Sequence, residues 1–496
     1  MNKKKNRREF VKLMAAAGLI LYVPACASES SKTNKRKKKQ PLSTFDSTEE
    51  IEASLKSENV TYLQQSEDTF NKLNQGFNLM TPKTPALIAL CVNTQGVSEA
   101  ITMARKEGLK VAVKSGGHSF ENFSSIDEGM QINLSLMNTV SWETSSQVKI
   151  EPSCTLREMY DALLPKNRIL PAGSCGGVGI GGLTLGGGYG FFARQYGLTC
   201  DSLSSATFVD GMGKIHQTKT GEDLMWALKG GGNGNFGVVT EFTFDTHPAP
   251  NGFTRYRFKA FNLDSTRAKT LLQEYFKHTS RLPETCFAAF VLNYKTLVLL
   301  ITNYGEPNEA LNEMIEVFST LADDASIGTK KDLAKSLENY YGIEYPIYFK
   351  NASAGYYDDY HTIESSIDEL LEIVFRKRGL IYQINTLGGM IDNAQFESES
   401  CYPHRKSPYL SELQYYWNEG DDPSALLQSF DEIQNILYRN GIRKQYRNYP
   451  NLGFQDWERA YYGEHYEKLQ AIKQEYDPED LFSHAQTIRN TSNPNK

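Results

Sequence analysis

The chain has 496 residues, 40% of them hydrophobic and 11% aromatic, which is too long for one average domain and too apolar for a disordered ground state. Its net charge of −6 is unevenly spread: residues 1–40 hold twelve Lys/Arg against two Glu, and the remainder carries 41 basic against 57 acidic side chains. An acidic body excludes nucleic acid as the partner, and the seven cysteines and eight histidines lack CxxC, HxxxH or HExxH spacing, so neither a metal site nor a disulfide framework is expected.

In chain order, Asn6-Arg7-Arg8-Glu9-Phe10-Val11-Lys12 precedes an apolar run at 13–25 that ends at Cys26. The run is shorter than the roughly 20 residues a spanning helix needs and reads as a signal h-region. Arg-Arg-x-Phe-x-Lys resembles a twin-arginine export signal, and Val23-Pro24-Ala25-Cys26 resembles a lipoprotein box, the other reading being an ordinary cleaved signal. Residues 1–26 are therefore expected to export the protein to a bacterial periplasm or cell surface. A lipid on Cys26 and the polar, Lys-rich tether at 27–45 would hold it at the membrane.

A strand at 86–92, a helix at 97–106 ended by Gly108, and a strand at 111–113 lead into Ser115-Gly116-Gly117-His118-Ser119. A strand running into Ser-Gly-Gly makes a turn whose free N–H groups suit a pyrophosphate, but the Rossmann fingerprint and its acidic residue are missing. Strands at 130–136 and 148–151 and a helix at 156–164 follow. Then residues 173–190 place ten glycines around Cys175, which implies backbone pressed against something flat or charged. A hairpin at 206–216, a short helix at 224–228 and a second cluster, Gly234-Asn235-Phe236-Gly237-Val238-Val239, lead into a strand at 238–244.

From about residue 249 the glycine clusters stop. Helices at 265–278, 309–321 and 367–375 alternate with strands at 287–293, 297–303, 379–386 and 409–417, which predicts an antiparallel sheet with helices on one face. The expected organisation is α+β, with a first domain at 46–248, a second at 249–440, and a C-terminal return to the first at 441–490.

Together, Ser115–Ser119, the 173–190 stretch and the 234–239 cluster resemble the FAD-binding domain of the vanillyl-alcohol oxidase superfamily, and more narrowly the berberine bridge enzyme-like oxidases. The resemblance covers most of residues 60–490. It implies a two-part FAD-binding domain roofed by a substrate domain, with FAD bonded to His118 and Cys175. An imidazole nitrogen and a thiolate are nucleophilic enough for that attachment, whereas a serine hydroxyl is not. By the same resemblance, Ser115, Gly116, Gly117, Ser119, Gly179, Gly181, Gly182, Gly187, Gly237, Val238, Val239 and Asn448 would bind the cofactor, Tyr189 and Asp201 would line or brace it, and Val178 would admit O2.

The resemblance also implies the chemistry. Tyr446-Arg447-Asn448-Tyr449 matches the family's Tyr-x-Asn-Tyr motif, with Tyr449 as base and Tyr446 as its partner. A phenol in that role needs its pKa of about 10 depressed by neighbours. Arg447 is expected to point away, as alternate residues of an extended segment do. Asn385 matches an aspartate of the carbohydrate oxidases and Gln414 the glutamate base of the alkaloid-oxidising founder, and both read equally well as plain strand residues. The implied activity is oxidation of an alcohol or sugar hemiacetal by proton abstraction and hydride transfer to flavin N5, with O2 reduced to H2O2. A flavin dehydrogenase with another acceptor and a non-catalytic surface lipoprotein are the alternatives.

Overall fold

The computed structural model describes residues 58–491 except Ser66, together with a two-residue strand pair, Tyr22–Val23 with Ala25–Cys26. Apart from that pair, the expected export signal at 1–26 and the tether at 27–45 lie outside the described residues. No helix among the described residues is long and apolar enough to cross a membrane.

Sheets of four, five and seven strands carry the fold. The four-stranded sheet runs in the order Val60–Leu63, Leu87–Cys91, Met130–Asn133, Val111–Lys114, with the last three strands parallel. A parallel pair needs a long crossover, and the helix Thr94–Glu107 supplies it. Asn93 caps its first turn by accepting from the Gly96 N–H, and Gly108 ends it at φ 66°. Val97, Ala100, Ile101 and Ala104 are buried, the four positions whose spacing predicts the helix.

The five-stranded sheet is antiparallel throughout, in the order Ile215–Lys219, Leu203–Asp210, Gly237–Asp245, Gln147–Ile150, Val140–Trp142. The C-terminal segment closes back on this half of the chain. Val111 donates its N–H to Leu481, and Phe482 bridges to Val111. Buried Lys473 anchors the return, donating to the Asp477 carboxylate at 2.6 Å and to the carbonyls of Asn235 and Phe482. With all three ammonium protons used, the buried charge is satisfied.

The seven-stranded sheet is also antiparallel, in the order Asp324–Ile327, Thr254–Ala260, Thr296–Asn303, Cys286–Asn293, Ile381–Thr386, Tyr409–Trp417, Tyr348–Tyr357. Helices Ser265–Thr279, Glu309–Leu321, Ile367–Val374 and Ser424–Arg439 pack on one face, where they bury Tyr382, Ile384, Leu413, Tyr415, Ala352 and Ala354. Because successive strand residues alternate sides, Gln383, Asn385, Glu412, Gln414, Tyr416 and Asn351 turn to the opposite face. That face roofs the glycine-rich half of the molecule.

The α+β class and the helix-backed antiparallel sheet agree with the sequence expectation. Among the elements that differ from it, three bear on the cavity or on the sheet that covers it. Inside the glycine-rich stretch Ile180–Leu185 is helical, its glycines allowing tight packing where propensity alone reads as loop. Strand Tyr348–Tyr357 escapes the pattern because Lys-Asn-Ala-Ser-Ala-Gly interrupts its alternation, and the helix Ser424–Arg439 was not anticipated.

Candidate active site

The Ser115–Ser119 turn and the glycine-rich stretch meet backbone to backbone. A Cβ on Gly116 would lie 2.4 Å from the Gly179 nitrogen, and a Cβ on Gly179 would lie 2.7 Å from that of Gly116. No side chain fits between them, so both positions require glycine. The contact brings His118 against the turn that carries Cys175: a Cβ on Gly177 would lie 3.3 Å from His118 Nε2.

Both side chains open onto one long cavity. Its walls include Ser115, Gly116, Gly117, His118 and Ser119 from the first turn, and Cys175, Val178, Gly179, Gly181, Gly182 and Tyr189 from the second stretch. Gly237, Val238 and Val239 from the second cluster and Tyr446, Asn448 and Tyr449 from the C-terminal segment line it as well.

His118 is half-buried, its ring stacked on Phe77 at 4.1 Å. Burial, with the nearby Lys114 ammonium adding to it, pushes the imidazole pKa down to about 4. Lys114 itself is buried with its Nζ lacking a hydrogen-bond partner, and burial lowers it to about 8. The imidazole is therefore neutral, with a lone pair available to an electrophile. Cys175 is half-buried in a turn held on both sides. Gly176 donates to the Tyr341 carbonyl at 2.8 Å and accepts from the Arg157 N–H at 3.1 Å, while the Arg157 side chain pairs with Glu344.

The segment around Tyr446 and Tyr449 is a turn and not an extended strand, because the Tyr449 N–H donates to the Tyr446 carbonyl at 2.9 Å. The two rings meet edge to face at 4.9 Å. The Tyr446 hydroxyl is occupied: it accepts from the Gly188 N–H at 3.0 Å and from Asn448 Nδ2 at 3.1 Å. Tyr446 therefore meets Tyr449 through its ring and not through its hydroxyl. Tyr449 shares its hydrogen bond with the Tyr189 hydroxyl at 2.8 Å, and Asn385 Nδ2 donates to Tyr189 at 3.2 Å. Tyr189, expected beside the cofactor, belongs to this cluster.

The turn also corrects the expectation for Arg447, which lines the cavity although only 4% exposed. Its Nε donates to the Tyr462 hydroxyl at 2.8 Å and its Nη2 lies 3.4 Å from His484 Nε2. Burial, with Arg447 beside it, pushes His484 well below the usual imidazole range, so both partners are neutral. No carboxylate of the described residues forms an ion pair with Arg447.

Three other expected site residues sit elsewhere. A Cβ on Gly187 would strike the Tyr402 ring at 2.9 Å, so this glycine accommodates Tyr402 and not the cavity. Asp201 is buried away from the cavity, taking the Arg405 guanidinium at 2.6 and 3.0 Å and the Leu198 N–H at 2.8 Å. It ties the segment after the glycine-rich stretch to the Pro-His-Arg segment. Gln414 faces the cavity side but stands behind its wall, donating to Gln383 at 3.3 Å and to Glu412 at 3.0 Å.

Glu412 is the functional candidate that sequence reasoning missed. It lines the cavity at 3% exposure, and burial raises its carboxyl pKa to about 8. The signal was available: a residue two before Gln414 on the same strand shares its face. Beside it, Asn351 and Tyr416 complete a polar roof, and Phe120 stacks on Tyr449 at 5.2 Å with Phe349 edge-on to it at 5.4 Å.

These residues fit a flavin dinucleotide. Bare glycine backbone allows a diphosphate and a flat ring to approach closely, and the buried Arg447 cation calls for an anion. His118 and Cys175 both line that cavity and carry the two side chains able to bond to such a ring.

Residues 85–219 match the family model described as FAD binding domain, and residues 445–489 match the berberine and berberine like model. The glucooligosaccharide oxidase of Sarocladium strictum is 28% identical, over 88% of this chain and 94% of its own length. A solved structure of a chitooligosaccharide oxidase superposes with a TM-score of 0.78 at 25% identity, covering 87% of this chain and 97% of that one. A solved glucooligosaccharide oxidase from Acremonium strictum, described with 6-S-cysteinyl, 8α-N1-histidyl FAD, superposes with a TM-score of 0.78 at 24% identity, with the same coverages of 87% and 97%.

Proposed function

Because the chain belongs to the FAD-linked oxidoreductases of the berberine bridge enzyme-like type, we propose that it is an oxidase of alcohols or sugar hemiacetals carrying bicovalent FAD. The observation that carries this reading is the convergence of His118 and Cys175 on one cavity that the hydrogen-bonded Tyr189–Tyr449 pair also lines. The solved relative described with cysteinyl and histidyl attachment supports the two bonds, and the oligosaccharide oxidases among the relatives support a carbohydrate substrate.

When bound, FAD supplies the two-electron acceptor for the hydride leaving the substrate carbon, and O2 returns it to the oxidised form with release of H2O2. The chain's own residues do the rest. Neutral His118 offers a ring nitrogen and Cys175 a sulfur for attachment, which leaves the cavity open to a bulky substrate without loss of cofactor. Arg447 and the N–H groups of the Ser115–Ser119 turn, which line the cavity, would hold the diphosphate. Val178, beside Cys175 in the wall, favours the oxygen-reacting form of the enzyme.

At the roof, Phe120 and Phe349 offer ring faces on which a sugar or aromatic ring stacks. The Tyr449 hydroxyl orients the substrate hydroxyl through a donated hydrogen bond. Burial and its phenolic neighbour Tyr189 push the Tyr449 pKa well above the ordinary phenol value, so this hydroxyl stays protonated at neutral pH. The exported form, lipidated at Cys26, remains part of the proposal, and a mass spectrum of the mature N-terminus tests it.

The enzymatic reading is tested by acid precipitation followed by a fluorometric peroxide screen over cellobiose, diacetylchitobiose and benzylic alcohols. The pellet should stay yellow and at least one compound should yield peroxide. A colourless pellet sinks the covalent attachment, and a flavin that is bleached anaerobically yet reoxidised only by dyes sinks the oxidase.

A further inference from the structure

We infer that Glu412, and not Tyr449, takes the proton from the substrate hydroxyl. The inference rests on the oxidase reading above and names the base that reading leaves open.

Glu412 is the sole carboxylate among the described residues that line the cavity. Its strand neighbours in register are Gln383 on one side and Ser353 on the other, both uncharged. Gln414 Nε2 donates to its Oε2 at 3.0 Å, and Gln414 is itself fixed by Gln383 at 3.3 Å and by the Tyr416 hydroxyl at 3.3 Å. One carboxylate oxygen is thus held by a neutral donor, and no cation of the described residues pairs with the group. The titratable groups facing it are the phenols Tyr189 and Tyr449, which come from the glycine-rich stretch and the C-terminal turn.

Those phenols suit a different task. Tyr189 and Tyr449 share one hydrogen bond at 2.8 Å, so one of the two O–H groups is left to donate elsewhere. Burial raises both pKa values well above that of a free phenol. A protonated hydroxyl can hold a substrate oxygen but cannot accept its proton. A buried carboxylate poised near the working pH can, since base efficiency peaks where the base's pKa lies near ambient pH. Asn385 supports the pair by donating to Tyr189, which leaves no carboxylate at the position where the carbohydrate oxidases were expected to have one.

The step balances without a further reagent. The substrate O–H bond breaks and its proton goes to a Glu412 oxygen. The C–H bond breaks with its electron pair, the hydride going to FAD, so the alcohol carbon is oxidised by two electrons to a carbonyl and the flavin is reduced.

The experiment uses the flavinylated full chain and its E412Q and Y449F variants, mixed anaerobically with whichever of cellobiose, diacetylchitobiose or benzyl alcohol bleaches the wild type. Flavin reduction is followed across pH, and the substrate-free flavin absorbance is titrated over the same range. Wild-type reduction should rise with pH through an apparent pKa near 8, and the substrate-free flavin band should shift through the same midpoint. E412Q should lose both features and slow by about 100-fold or more, while Y449F should raise KM and keep the pH limb. A wild type inert to every probe defeats the oxidase reading. An active wild type whose E412Q variant keeps its rate and its limb, or whose limb vanishes only in Y449F, defeats the assignment of Glu412 alone.

Discussion

Replacing Glu412 by glutamine should make the protein more stable at high pH, by an amount that grows with pH. The carboxyl is 3% exposed and burial moves its pKa from 4.5 to about 8. In the unfolded chain it ionises near 4.5, whereas in the fold it stays protonated until about 8. A raised folded value means that the stability contribution is fully present below the unfolded pKa and is lost as pH rises toward the folded one. The loss therefore falls between these two values and levels off above the upper one. At about 1.4 kcal/mol per pKa unit, the wild type should lose roughly 3 kcal/mol between about pH 5.5 and pH 9 through this group. Glutamine keeps the size and the hydrogen-bonding side chain but cannot ionise, so the variant should not share that loss. The assay is urea denaturation of flavinylated protein at both pH values, comparing wild type with E412Q. A difference between them that stays constant across pH would refute the burial of an ionisable carboxyl at this position and weaken its role as base.

His118→Ala and Cys175→Ala should each keep acid-stable flavin through the remaining bond, while the double variant should lose it, as read by flavin fluorescence of the denatured band on a gel. Arg405→Met should cost about 3–5 kcal/mol, because it leaves Asp201 buried with an unpaired charge, and adding Asp201→Asn should recover part of that loss in urea denaturation. Arg447→Met should lower the flavin-to-protein ratio of the purified protein, because the buried cation proposed to hold the diphosphate is gone. An unchanged ratio in the 450 nm to 280 nm absorbances, about the standard check, would remove Arg447 from cofactor binding.

The fold was legible wherever a local pattern had a local cause. Period-four burial in Thr94–Glu107 and a glycine at φ 66° are dictated by residues close in sequence, and so is the strand–Ser-Gly-Gly–His turn. The concentration of glycine at 173–190 foretold a close approach, and Gly116 against Gly179 is that approach. The helix Ile180–Leu185 was hidden because packing against neighbouring backbone overrides glycine's poor propensity. Strand Tyr348–Tyr357 was hidden because its cavity-facing residues, Phe349 and Asn351, do not alternate with an apolar outer row that a pattern could recognise.

For the candidate site, the sequence by itself determined the glycine-rich cradle, because glycine is legible from residue type alone, while the family resemblance nominated His118 and Cys175, which the structure brings to one cavity. The resemblance also supplied Tyr446 and Tyr449. Only the tertiary structure decided their partners. A turn at 446–449 joins Tyr449 to Tyr189, some 260 residues earlier in the chain, and gives the Tyr446 hydroxyl to Gly188 and Asn448. Strand register sets Glu412 in the wall and Gln414 behind it, and burial then raises one pKa to about 8. Desolvation is a property of everything packed around a group, so no stretch of sequence near Glu412 could announce it.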